Sequence, residues 1–152
     1  MRQLGKYKHT SLLYKASRDG FSSESFHKHC DMKGPTITIV KTSLFGQKES
    51  FLGGFTSQNW QSLPVGEYSK DDEAFMFSLD KEKKFDIIER ECAIYNFEYH
   101  GPTFGSGWDL YVCDNSNEER RSFCTLGHSF KVPQDILERI RTNAILETSY
   151  LF

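Results

Sequence analysis

The sequence has no CxxC pair, no Asn-x-Ser/Thr sequon, no long apolar run and no marked excess of either charge. Each absence removes a class. A helix that crosses a membrane needs about 20 consecutive apolar residues, and the longest runs fall far short of that, so no membrane insertion is expected. Nineteen basic and twenty-one acidic residues leave a formal charge of −2. They are interleaved, as in DKEKK at 80–84 and EERR at 118–121, which leaves no electrostatic footprint for nucleic acid or anionic lipid. Cys30, Cys92, Cys113 and Cys124 are widely spaced, and a chain of this length needs no disulfide scaffold. Residues 1–10 carry charges and no apolar stretch follows them, so no secretory leader is read there. Together these features point to a reducing, intracellular setting, and the expected location is cytoplasmic.

What is present is a single domain, 1–152. At 152 residues the chain can bury roughly 68–70% of the surface that its unfolded form exposes. Aromatic residues make up 14%, with thirteen Phe and seven Tyr, which favours a dense core crossed by many short strands. Strand candidates are SLLYK at 11–15, TITIVKT at 36–42, FLGGFTS at 51–57, AFMFSL at 74–79, 85–88, 93–96 and 109–113. Turn-rich pieces such as LPVGEYSKDDE and CDNSNEE separate them. Two helices are expected. One lies in GFSSESFHKHCD, capped by Ser22 or Ser23, with Phe26 and Cys30 on its inner face. The other runs from Pro133 to Ala144, with Ile136, Leu137, Ile140 and Ala144 as an apolar stripe. Strands in series with few helices between them argue for antiparallel sheets over βαβ units.

Glycines crowd into HGPTFGSGWDLYVCDN at 100–115. A phosphate loop needs strand, glycines, then a helix N-terminus, whereas Trp108 to Cys113 alternates and is rich in β-formers. No GxGxxG or P-loop pattern passes through Gly101, Gly105 and Gly107. Ser106 is no nucleophile elbow either, because Phe104 stands where GxSxG requires glycine. A bend or bulge at Gly105 and Gly107 that feeds a buried strand is expected instead.

The ordered set LLYKASRDGFS, KGPTITIVKT, FLGGFTSQNW, EAFMFSL and AIYNFEYHGPTFGSGWDLYVCDNSN resembles the TLDc domain of oxidation-resistance proteins and their relatives. The resemblance runs from about Leu12 to about Lys131. It implies an α+β fold in which two antiparallel β-sheets pack as a sandwich flanked by short helices. In it FGSGWDLYV at 104–112 resembles the family's Phe-Gly-x-Gly element, which leads into a core strand, and Gly101, Gly105, Gly107, Trp108 and Asp109 are read as a structural motif. The implied function is a non-enzymatic interaction module with a role in oxidative-stress protection and in binding and regulating the vacuolar proton pump. No catalytic residue and no cofactor is carried over. Residues 133–152 diverge from the family pattern, and the strand that usually closes the domain is expected to be missing. An uncovered sheet edge would then recruit an identical chain or a partner's strand, be covered by the helix at 133–144, which is the favoured outcome, or leave the domain marginally stable. Some relatives carry this domain in front of a GTPase-like region, so a regulatory domain of a larger stress or immune protein is an alternative.

Other candidate chemistry is sparse. On a helix, positions two apart such as His27 and His29 point to different faces, so His27, His29 and Cys30 cannot all converge on a metal and none is expected. Each cysteine reads as a packing thiol, with a redox-reactive thiol as the alternative. Glu98, Asp109 and Asp114 flank the glycine element; they read as turn and strand-end acids, and a hydrolase using Glu98 or Asp109 is the enzymatic alternative. Trp60 and Trp108 read as packing residues.

Overall fold

The computed structural model describes residues 9–42 and 49–135. Along the chain run α1 (Ala16–Asp19), α2 (Ser23–Cys30), β1 (Thr36–Thr42), β2 (Ser50–Thr56), β3 (Glu67–Ser69), β4 (Phe75–Ser78), β5 (Lys83–Asp86), β6 (Ile94–Asn96), β7 (His100–Phe104), β8 (Leu110–Cys113) and β9 (Phe123–Cys124). The strands form two antiparallel sheets, in the orders β1-β2-β4-β5 and β3-β6-β7-β8-β9. The fold is therefore α+β, two sheets with short helices beside them.

Leu52, Met76 and Phe85 from the first sheet meet Ile94, Phe104 and Leu110 from the second, together with Phe26, Trp60 and Phe130. Edge-to-face ring contacts run through this core: Phe26 to Trp60 at 5.4 Å and Trp60 to Phe104 at 5.5 Å between centroids. The sheets approach closely where Gly54 faces Phe104, since a Cβ on Gly54 would lie 2.7 Å from that ring. Burying a ring of this size contributes about 1.5–3 kcal/mol. Trp60 loses its water without orphaning its N–H, which donates to the Thr36 hydroxyl at 2.9 Å.

Local chemistry accounts for most elements. Ser22 caps α2, its hydroxyl accepting from the Ser25 N–H at 3.1 Å. Phe26 and Cys30, one turn apart, share its buried face. The alternation of TITIVKT gives β1, paired along its length with β2. Its threonines are half-buried while Ile37 and Ile39 stand outside, 42% and 59% exposed.

Some expectations are corrected. SLLYK at 11–15 is not a strand; the backbone there is irregular and turns into α1. β3 lies inside a stretch that reads as turns, and β7 and β9 do not stand out in the sequence. Of the helix expected over 133–144, Gln134 and Asp135 are helical. The stripe formed by Ile136, Leu137, Ile140 and Ala144, and with it the closing-strand expectation, lies outside the described residues. Among the described residues no helix is long and apolar enough to cross a membrane.

Candidate functional site

The glycine element is the turn between β7 and β8. Gly101 lies in β7 against Val112, and the Trp108 N–H donates to the Gly105 carbonyl at 3.1 Å, closing the turn. Gly105 has φ +86°, and Trp108, which carries a side chain, also sits in the left-handed region at 54°. Gly107 has no positive φ, so the left-handed requirement falls on Gly105 and Trp108. That strained turn aims the next side chain inward.

Asp109 is fully buried. Its Oδ1 accepts from the N–H groups of Gly127 at 3.0 Å and His128 at 3.1 Å, with Phe130 at 3.4 Å. Its Oδ2 accepts from the Ser129 N–H at 2.9 Å. Burial pushes the carboxyl above its ordinary value, and the four backbone donors pull it back. The segment it grips then reaches the other sheet: the Ile88 N–H donates to the Ser129 carbonyl, and the Lys131 N–H to the Asp86 carbonyl, both at 2.8 Å. Asp109 is thus a tie between sheets.

A second buried acid, which sequence reasoning missed, does similar work. Asp71 accepts from the Thr56 hydroxyl at 2.8 Å, the Ser57 N–H at 2.6 Å, the Ser57 hydroxyl at 2.7 Å and the Glu73 N–H at 2.9 Å. Most of these partners lie 14 or 15 residues away, so no local spacing could reveal it. Of the three acids that flank the glycines, Asp114 accepts from the Ser23 N–H at 2.7 Å, holding the start of α2. Glu98 sits in the turn before β7, its N–H donating to the Leu63 carbonyl. Glu98, Asp109 and Asp114 therefore serve three separate structural contacts.

His27, buried on α2, faces acceptors with both ring nitrogens. Nδ1 lies 2.7 Å from an Asp31 carboxylate oxygen, and Nε2 lies 3.0 Å from each of the Phe97 and His100 carbonyls. His29 turns the other way, its Nδ1 2.7 Å from the Ser25 carbonyl, and Cys30 enters the core. Among the described residues no group of three or more His, Cys, Asp or Glu is placed to hold a metal ion.

A cleft of about 1040 Å³ opens between residues 9–17, α2, β1 and the β7–β8 pair. Its walls include Tyr14, Cys30, Val40, Trp60, Pro102 and Val112. Burial pushes the Tyr14 hydroxyl up to about 12 and the Cys30 thiol up to about 11. Both are thus neutral near pH 7, and the Tyr14 hydroxyl donates to the Gly20 carbonyl at 2.6 Å. All four cysteines are free. Burial also raises Cys92, and raises Cys124 to about 12.

The family model of the TLDc domain matches residues 2–145. No curated protein and no solved structure gives a match.

Proposed function

The chain belongs to the TLDc domain family, and on that premise we propose that it is a non-enzymatic docking module. It binds the cytosolic sector of a vacuolar proton pump, acts in the cytoplasm, and takes part there in protection against oxidants. The observation that carries the reading is the use of Asp109. The one acid of the glycine element that is shielded from water has no exposed surface and is held by four backbone donors, which removes it as a general base. The cleft supports the same reading, because burial makes its tyrosine and thiol weaker acids than usual. The pump and the stress response are what the resemblance to the family implies for this chain.

The test is direct. The immobilised chain, washed with the purified cytosolic sector of a vacuolar proton pump, is expected to retain it, and Gly105→Val, whose Cβ would meet the Asp109 carboxylate, is expected to retain less. An undiminished flow-through with a folded chain would overturn the pump reading. Turnover of ester, peptide or phosphate substrates by the chain would overturn the non-enzymatic one.

A further inference from the structure

The outer face of the five-stranded sheet is paved with rings. Ile94 and Phe104 pair across β6 and β7 and are both buried in the core, so their neighbours Tyr95 and Thr103 point away from it. Tyr68 stands opposite Tyr95, Tyr111 opposite Thr103, and Phe123 opposite Tyr111. One row therefore crosses all five strands: Tyr68, Tyr95, Thr103, Tyr111, Phe123. Trp108 and His100 lie over its middle, with centroids 4.9 Å apart, and Thr103 beneath has no exposure. Ring centroids along the face are 4.8 Å from Tyr68 to Tyr95, 5.1 Å from Trp108 to Tyr111 and 5.5 Å from Tyr111 to Phe123.

Cross-strand aromatic pairs stabilise a sheet, but two features go beyond that. Trp108 reaches the face from a left-handed backbone, a conformation that costs a residue with a side chain about 1 kcal/mol or more. His100, packed among these rings, leaves its Nδ1 without a partner. Tyr68 is 41% exposed, and Tyr95, Trp108, Tyr111 and Phe123 are half-exposed. Rigid amphipathic rings of this kind dominate the binding energy of protein interfaces.

The charge beside the rings selects the partner. Glu89 Oε2 accepts from the Ser106 hydroxyl at 2.6 Å and the Ser129 hydroxyl at 3.1 Å. The Tyr68 hydroxyl donates to the Ser106 carbonyl at 2.9 Å. The carboxylate is thereby fixed next to the Tyr68–Trp108 end. Its hydrogen bonds from Ser106 and Ser129 hold it below the usual carboxylate range, so it is anionic at neutral pH. The cations around the face are engaged elsewhere: Lys70 with Glu91 at 2.5 Å, Arg90 with Asp72 at 3.5 Å and Arg121 with Glu119 at 3.2 Å. Glu89 has no such ion pair among the described residues; the titratable side chains near it are the Cys92 thiol, the Tyr68 hydroxyl and the exposed His128.

We propose that this face docks a protein segment carrying arginine, with the guanidinium stacked on Tyr68 and Trp108 and paired with Glu89. A planar cation that stacks and forks onto a carboxylate fits better than an ammonium point charge. The proposal rests on the reading of the chain as a docking module.

The test uses the two indole N–H signals of the ¹⁵N-labelled chain, one from buried Trp60 and one from Trp108. Titration with a synthetic Arg-Gly repeat peptide should shift the Trp108 signal saturably and leave Trp60 in place, with Lys-Gly repeats weaker and Glu-Gly repeats silent. Glu89→Gln and Tyr68→Ala should each weaken the Arg-Gly peptide by about fivefold, with the Trp60 signal reporting an intact fold. A shift of equal size with Glu-Gly or Lys-Gly repeats, no saturable shift, or affinity unchanged in both folded variants would overturn the proposal. Pump retention measured on the same variants separates the two readings. Retention without loss in both variants would sink this surface and leave the pump reading standing. Arginine binding by a chain that retains no pump sector would do the reverse.

Discussion

A Cβ on Gly105 would stand 1.9 Å from Oδ2 of Asp109. The left-handed backbone of the glycine and the buried carboxylate therefore form one device. Gly105→Val is expected to destabilise the fold by more than about 2 kcal/mol, from φ strain and displacement of the carboxylate. Gly107→Val should cost less, because the atoms its Cβ would meet belong to the exposed His128 ring, which can swing aside. Urea denaturation of the two variants checks the order, and equal losses would contradict it.

Asp109→Asn should cost about 1–3 kcal/mol, since an amide nitrogen would meet the Ser129 N–H donor to donor. Asp109→Ala should cost more, because it strips all four donors of their acceptor. Thermal melting of both variants decides this, and melting as in the unchanged chain would remove Asp109 as the tie.

The thiols are expected to be slow. With Cys30 raised to about 11 and Cys124 to about 12, the native chain holds few thiolates at pH 7, and the thiolate is the nucleophile. A thiol-specific chromogenic disulfide should label Cys30 and Cys124 far more slowly in the native chain than in denaturant. Peroxide consumption by the chain should be negligible. Fast turnover lost on replacing one cysteine would place the chemistry in the protein itself.

Acid should weaken the fold through His100. Burial, and then the neighbouring His27, lower its pKa from the ordinary 6.5, so the unfolded chain takes up this proton first. Stability that is full above about 6.5 is then lost as pH falls toward the folded value. Asp109 acts in the opposite sense, because its raised value lets the folded state take up a proton first. His100→Phe keeps a ring among its neighbours and removes the titration. The fall in melting temperature from pH 7.5 to 5.5 should be smaller in that variant; an equal fall would assign the effect to other groups.

Ile37 and Ile39 lie on the exposed side of β1, the outermost strand of its sheet among the described residues. Ile39→Lys should change stability by no more than about 0.5 kcal/mol. Any concentration-dependent dimer seen by light scattering should weaken, because charge on an edge opposes strand pairing. A dimer that persists in the variant would point to another contact.

What was legible in the sequence follows interaction range. β1 could be read because alternation is a local property, and α2 because Ser22 and the Phe26–Cys30 pair lie within two turns. The glycine element could be seen as a bend into a strand, since glycines followed by β-formers carry that meaning locally. β3 and β9, three and two residues long, depend on partners far along the chain. The roles of Asp71 and Asp109 depend on donors 14 to 21 residues distant. The direction of β1 was equally hidden, since alternation fixes two faces but does not say which one the core will take.

The segment from Gly127 to Lys131 also sets how the domain bears mechanical load. A pull on the chain beyond Lys131 reaches the Lys131–Asp86 and Ile88–Ser129 backbone bonds, which anchor in the β5 side. At Phe130 and Ser129, the next residues inward, the Asp109 carboxylate at the root of β8 shares the load with the Ile88 bond. Force entering past Lys131 is therefore carried by both sheets at once.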